Sequence, residues 1–162
     1  MIICITLLLY LAKSESSADF QRGLEAYYKK DYERALSEWK PLVKAGTARA
    51  QYYMGILYEH GHGVEKNLQN AVYFYRLAAE QGDVGGQYSM AMAYMRGDGV
   101  KRDYVVAHMW AKVAASNGSK GGAKLVSWVL NRMSKTDLKN AKSLLRECKL
   151  ARFKGRACLP QK

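Results

Sequence analysis

The segment Thr47–Gly82 recurs as Asp83–Gly118 without a gap, at an offset of 36 residues from position 47 to position 83. Gly61, Gly63 and Val64 return as Gly97, Gly99 and Val100, and Tyr58 returns as Tyr94. Ala71 returns as Ala107, while Ala78, Ala79 and Gly82 return as Ala114, Ala115 and Gly118. A fixed period of this size marks supersecondary units that stack, because one unit cannot bury its apolar side alone.

The physics of one unit follows from its spacing. Ala50, Met54, Leu57 and Tyr58 form an apolar stripe at helical intervals and predict a first helix that ends at Gly61. Gly61-x-Gly63 then supplies a connection in which positive φ costs little, and Val64 plugs the bend. A second helix is expected to bury Ala71, Phe74, Tyr75, Ala78 and Ala79, with Gly82 as its C-terminal cap. Small residues at 55, 71, 78 and 79 let the helices approach closely.

These positions resemble the Sel-one-like repeat family, a branch of the tetratricopeptide-like helical superfamily. The family pattern is met by Ala50, Met54, Gly55, Tyr58, Gly61, Gly63, Val64, Asn67, Ala71, Phe74, Ala78, Ala79 and Gly82, and by their counterparts 36 residues on. Met for Leu, Asn67 for Asp and Ala91 for Gly are departures from it. The resemblance implies an all-α fold: a right-handed α-α superhelix, or solenoid, of about four antiparallel helix pairs with a C-terminal capping helix.

The likeness reaches outward from the two copies. Residues 19–46 read as a shorter tetratricopeptide-like unit, in which Gly23, Ala35 and Gly46 match Gly55, Ala71 and Gly82. Pro41 is expected to bend its second helix or end it early. Residues 47–82 and 83–118 are the two full repeats. Residues 119–153 read as a degenerate repeat with a capping helix, and 154–162 as a tail. Ser134 with Asp137 makes a capping-box-like start for that last helix.

The opening residues have a different character. Ile2–Leu11 is almost unbroken apolar sequence, too short to span a bilayer comfortably, which takes roughly 20 residues. Ser16 and Ala18 fit a small-x-small cleavage pattern, so 1–18 reads as a signal peptide, although nothing basic precedes Lys13. An uncleaved anchor or a buried helical turn is the alternative. The expected location is periplasmic or secreted. Cys4 would leave with the signal, and Cys148 and Cys158 would remain as an even pair. In an exported protein that pair is expected to form a disulfide, and two reduced thiols are the alternative.

Family solenoids line their concave side with the first helix of each pair. Superposing the units places Phe20, Tyr52, Tyr88 and Lys124 in one column, and Leu24, Ile56, Met92 and Trp128 in a second. Tyr27, Glu59 and Arg96 fall at the groove edge. Aromatics with a few charges suit capture of a protein or peptide. The same aromatics also suit the contact between neighbouring repeats, and this reading stays open.

The net charge of +12 is uneven. Residues 1–118 hold 14 Lys and Arg against 12 Asp and Glu, whereas 119–162 hold 12 against 2. Lys139, Lys142, Arg146, Lys149 and Arg152 form a basic face on the last helix, beside an apolar stripe of Leu138, Ala141, Leu145 and Cys148. Such a helix can dock on an anionic membrane surface or a polyanion, or serve as a cap with a solvated outer face. Nucleic acid is disfavoured, since no sequence-reading module is present.

No catalytic apparatus is visible. His60 and His62 straddle a glycine, but a metal site needs more convergent ligands than they and His108 supply. No nucleophile elbow or phosphate-binding loop occurs. Cysteine-rich relatives linked to β-lactam binding carry a Cys pair in each repeat, and 47–118 contains no Cys, so that activity is not carried over. The expectation is a protein-binding adaptor without cofactor or metal.

Overall fold

The computed structural model describes residues 17–151 and Cys158. These form eight helices and no strands. Helix α1 covers 17–28. It is followed by α2 (Tyr32–Lys44), α3 (Ala48–His60), α4 (Leu68–Glu80), α5 (Val84–Arg96), α6 (Tyr104–Ser116), α7 (Lys120–Leu130) and α8 (Lys135–Leu150). Consecutive helices from α2 to α7 pack on one another, and α8 lies across α6. The result is an all-α solenoid of packed helix pairs.

The sequence signals that start and stop these helices act through named hydrogen bonds. Asp31, Asn67, Asp83, Asp103 and Ser119 each accept a backbone N–H in the first turn of the helix they precede. At the end of α4, the Asp83 N–H donates to Ala78 O and the Gly82 N–H to Ala79 O. The same two bonds close α2 at Leu42 and Val43, and α6 at Ala114 and Ala115. This doubled closure needs a left-handed residue after the helix, which Gly46, Gly82 and Gly118 provide. The loop inside each full repeat is pinned identically: Asn67 N–H donates to Tyr58 O, and Asp103 N–H to Tyr94 O, both at 2.9 Å.

Stacking is written into the second glycine of each Gly-x-Gly loop. A methyl on Gly63 would lie 3.1 Å from the Tyr32 backbone, and one on Gly99 would lie 2.3 Å from Leu68 O. Each loop therefore sits on the first turn of the second helix one repeat earlier. Gln51 and Gln87 tie the two helices of their own repeats, and Gln87 also reaches the preceding one. Both are buried. Gln51 Oε1 accepts from Gln81 at 2.7 Å, and Gln87 Oε1 accepts from Asn117 at 2.9 Å. Gln87 Nε2 also donates to Ala79 O of the preceding repeat.

Two apolar clusters run through the solenoid. The first gathers Ala26, Ala35, Trp39, Leu42, Ala50, Met54 and Leu57. The second is larger. It runs from Ala71 and Tyr75 through Met90, Tyr94, Met109 and Trp110 to Val129, Leu144, Cys148 and Cys158. Cys148 and Cys158 are joined by a disulfide, and both are buried.

Two expectations are corrected. Pro41 does not end α2 early: the helix runs one turn further to Lys44, at the cost of the single backbone bond that the missing N–H would have made. In α8 the buried stripe is Ala141, Leu144 and Cys148, with Leu145 only half-buried. The capping box at Ser134 and Asp137 forms in full. Helix α8 ends at Leu150. Residues 1–16, 152–157 and 159–162 lie outside the described residues, so all but the last two residues of the expected signal and most of the tail are not described. Among the described residues, no helix is long and apolar enough to cross a membrane.

Candidate protein-binding face

The columns read from the sequence fall on α1, α3, α5 and α7, and those of α3 and α5 border one hollow. Tyr52 on α3 lies against α5, where a methyl on Gly85 would stand 2.7 Å from its ring. Tyr88 on α5 repeats the arrangement on α7, 3.0 Å from the position of a methyl on Gly121. Glycine at 85 and 121 thus lets each tyrosine lie flat on the next repeat, with part of its ring still open to solvent.

Between these rings lies a pocket of about 300 Å³. Tyr52, Glu59, Tyr88, Met92 and Arg96 line it, so the structure brings together five of the residues read as a groove. Further wall comes from α4, through Leu68, Ala71, Val72 and Tyr75, and from Asp98 in the loop after α5. The hydroxyl of Tyr75 donates to Glu59 Oε2. Burial pushes the Tyr75 hydroxyl far above the ordinary tyrosine range, and the Glu59 carboxylate adds to this. Tyr52 is raised as well, first by burial and then by Tyr53, Asp83 and Glu59. Arg96 and Asp98 face each other at 3.9 Å on the exposed rim.

The other expected groove residues are placed differently. Phe20, Leu24 and Tyr27 pack on the first cluster. Phe20 stacks on Trp39 and meets Tyr53 edge-on, and Tyr27 touches Tyr32, Trp39, Tyr53 and His62. Ile56 is half-buried against the second cluster. Lys124 is exposed. Trp128 is 40% exposed and carries the Arg132 guanidinium 3.4 Å from its ring centre.

The basic face is exposed at Lys139, Lys142, Arg146 and Lys149. Arg152 lies outside the described residues. Lys142, Arg146 and Lys149 surround a shallow hollow with Leu145 and Leu150, and Leu150 is 79% exposed. His62 stacks on Tyr32 at 4.0 Å, and His60 lies 5.3 Å from it. Among the described residues, no group of three or more His, Cys, Asp or Glu is placed to hold a metal ion.

A chain of stacked helix pairs, closed by a capping helix and presenting a face of aromatic side chains, has the build of a helical-repeat scaffold. The particular repeat is settled by comparison. The model of the Sel1 repeat family matches residues 48–83 and 84–119. These two segments are Sel1 repeats. Repeats of this kind typically mediate protein–protein interaction, and their proteins are in general non-enzymatic scaffolds.

Two solved structures are similar to it. One is c5321, a protective antigen present in uropathogenic Escherichia coli strains displaying an SLR fold. It has 24% identity and a TM-score of 0.79, over 94% of this chain and 34% of that one. The other is a Sel1 repeat protein from Oxalobacter formigenes, with 27% identity and a TM-score of 0.66, over 80% of this chain and 55% of that one. The chain therefore spans about a third of the first and about half of the second. No curated protein sequence matches it.

Proposed function

We propose that this chain is a non-enzymatic adaptor that holds a protein or peptide on the face of α1, α3, α5 and α7, and that it works outside the cytoplasm. The observation that carries the reading is the pair Tyr52 and Tyr88. Each is braced on a glycine of the next repeat and borders the same pocket. A rigid, half-open tyrosine offers large contact area at low entropic cost. The disulfide between Cys148 and Cys158 and the likeness to a bacterial antigen are compatible with an exported protein. A mature chain starting at Asp19 would keep α1 nearly whole, and intact-mass measurement of protein recovered from the cell envelope tests that start.

The binding test is capture from an envelope extract, with the fold of each variant checked by thermal melting. Tyr52→Ala with Tyr88→Ala is expected to abolish capture of the partner. Exchange of Lys139, Lys142, Arg146 and Lys149 for Gln is expected to preserve it. A second reading draws on the exposed Leu150 among Lys142, Arg146 and Lys149: a peripheral protein that docks on an anionic membrane or polyanion. It takes over if only the basic substitutions, and rising salt, release the partner.

A further inference from the structure

The two full repeats are near copies, and they part company at the pocket. Glu59 and Tyr75 of the first copy correspond to Met95 and Ala111 of the second. Leu68 and Val72 change as well, to Tyr104 and His108, but only Glu59 and Tyr75 among these are hydrogen-bonded to each other. Gly55 differs with them, becoming Ala91: a methyl at 55 would lie 2.5 Å from the Tyr75 ring. One pair of repeats thus carries a carboxylate in an aromatic hollow, and the next pair carries none there.

Among the described residues, that carboxylate forms no ion pair. Among the described residues, its hydrogen bond comes from the neutral Tyr75 hydroxyl. Asp98, the other acid of the pocket, is already answered by Arg96 on the rim. Glu59 is half-buried, so its charge is partly desolvated and gains from a positive group delivered there. The rings of Tyr52, Tyr75 and Tyr88 line the hollow, and aromatic rings attract a cation over their faces. Leu68, Val72 and Met92 supply an apolar wall of the kind a methylene stem lies against. A space of about 300 Å³ is at the lower edge of ligand-binding cavities and suits a single long side chain better than a cofactor.

We infer that the hollow between Tyr52, Tyr75 and Tyr88 is a subsite for one lysine or arginine side chain of the bound protein, with Glu59 as the counter-charge. The inference rests on the binding-face reading above, and it adds that the captured segment is basic at one position.

A display selection tests it, using random dodecapeptides against the full chain. Wild-type protein is expected to enrich peptides that share a Lys or Arg at one register. Changing that residue to norleucine, or Glu59→Gln in the protein, is expected to weaken binding by about tenfold or more. Gln can still accept from Tyr75, and the enriched sequences on wild type speak even if that variant is unstable. Enriched peptides without a shared cation, or with a shared acid, whose binding still needs Tyr52 and Tyr88, overturn the subsite and leave the face standing. Equal binding of cationic peptides by wild type and folded Glu59→Gln also overturns it. Failure to enrich any peptide dependent on Tyr52 and Tyr88 overturns both.

Discussion

Gly99 and Gly82 separate two reasons for a glycine. Both have positive φ, +69° at Gly99 and +92° at Gly82. Nothing lies within 4 Å of a methyl placed on Gly82, so Gly82→Ala meets only the left-handed backbone cost, about 1–2 kcal/mol. The same change at Gly99 adds a collision at 2.3 Å with the Leu68 carbonyl, which is backbone and cannot swing aside. Overpacking of this kind costs a further ~1–3 kcal/mol. Urea unfolding should therefore rank Gly99→Ala as clearly the more destabilised of the two, and equal losses would mean that the loop does not seat on α4 as described. A related exchange of sizes runs along the repeats. Gly23 makes room for Trp39 and Gly55 for Tyr75, and the third pair balances Ala91 against Ala111. The small residues show in the sequence. The large partner each one admits does not, because it lies on the other helix of the pair.

Helix α8 closes the solenoid by laying Ala141, Leu144 and Cys148 on the second cluster and turning its lysines outward. The disulfide then fixes Cys158 in the same core. A cross-link closing a loop of this length is worth about 2–3 kcal/mol on the chain-entropy account. Replacing both cysteines by alanine should lower the melting temperature, and reductant should then have no further effect on the variant while it lowers that of wild type. A wild-type melting curve indifferent to reductant would show that the cross-link contributes nothing to stability. The start of α8 is legible because Ser134 and Asp137 are a local, reciprocal hydrogen-bonding pair. Its inward face is harder to read. Leu144 and Leu145 are about 100° apart around the helix, and both border the apolar stripe. Only the position of α6 decides that Leu144 goes in. The binding face divides in the same way. Tyr52 and Tyr88 are legible as a column because the period is constant. Tyr75, Val72 and Leu68 are missed as pocket walls, since a column drawn on first helices says nothing of how α4 fills the gap behind them. Phe20 and Leu24 belong to the two columns by alignment, and Tyr27 to the groove edge. They turn into the first cluster because Trp39 and Tyr53 offer them apolar surface.

Stacked repeats are stabilised by each unit's own contacts and by those with its neighbours, so the two ends need not be equally firm. Here they are built differently. The second apolar cluster joins α4, α5, α6, α7 and α8 and contains the disulfide. The first cluster joins α1, α2 and α3, contains no cross-link, and leans on the rest through α3 and α4. Its α1 is also followed by Lys30 at φ 62°, a left-handed position of the kind that the two full repeats fill with Gly61 and Gly97. Opening is therefore expected to begin with α1 and α2 while the larger cluster holds. In native-state hydrogen exchange, peptides from 20–44 should take up deuterium well before those from 84–116, with lower opening free energies. Lys30→Gly should slow the exchange of 20–44 and leave that of 84–116 almost unchanged. Simultaneous exchange of all eight helices would mean instead that the two clusters open as one cooperative body. The expected gradient also bears on binding. Tyr52 and Glu59 stand on α3, at the junction between the weaker and the firmer part, so a partner seated there stabilises the end most prone to open. Bound peptide should accordingly protect 20–60 more than 84–116, and that difference would locate the partner without a structure of the complex.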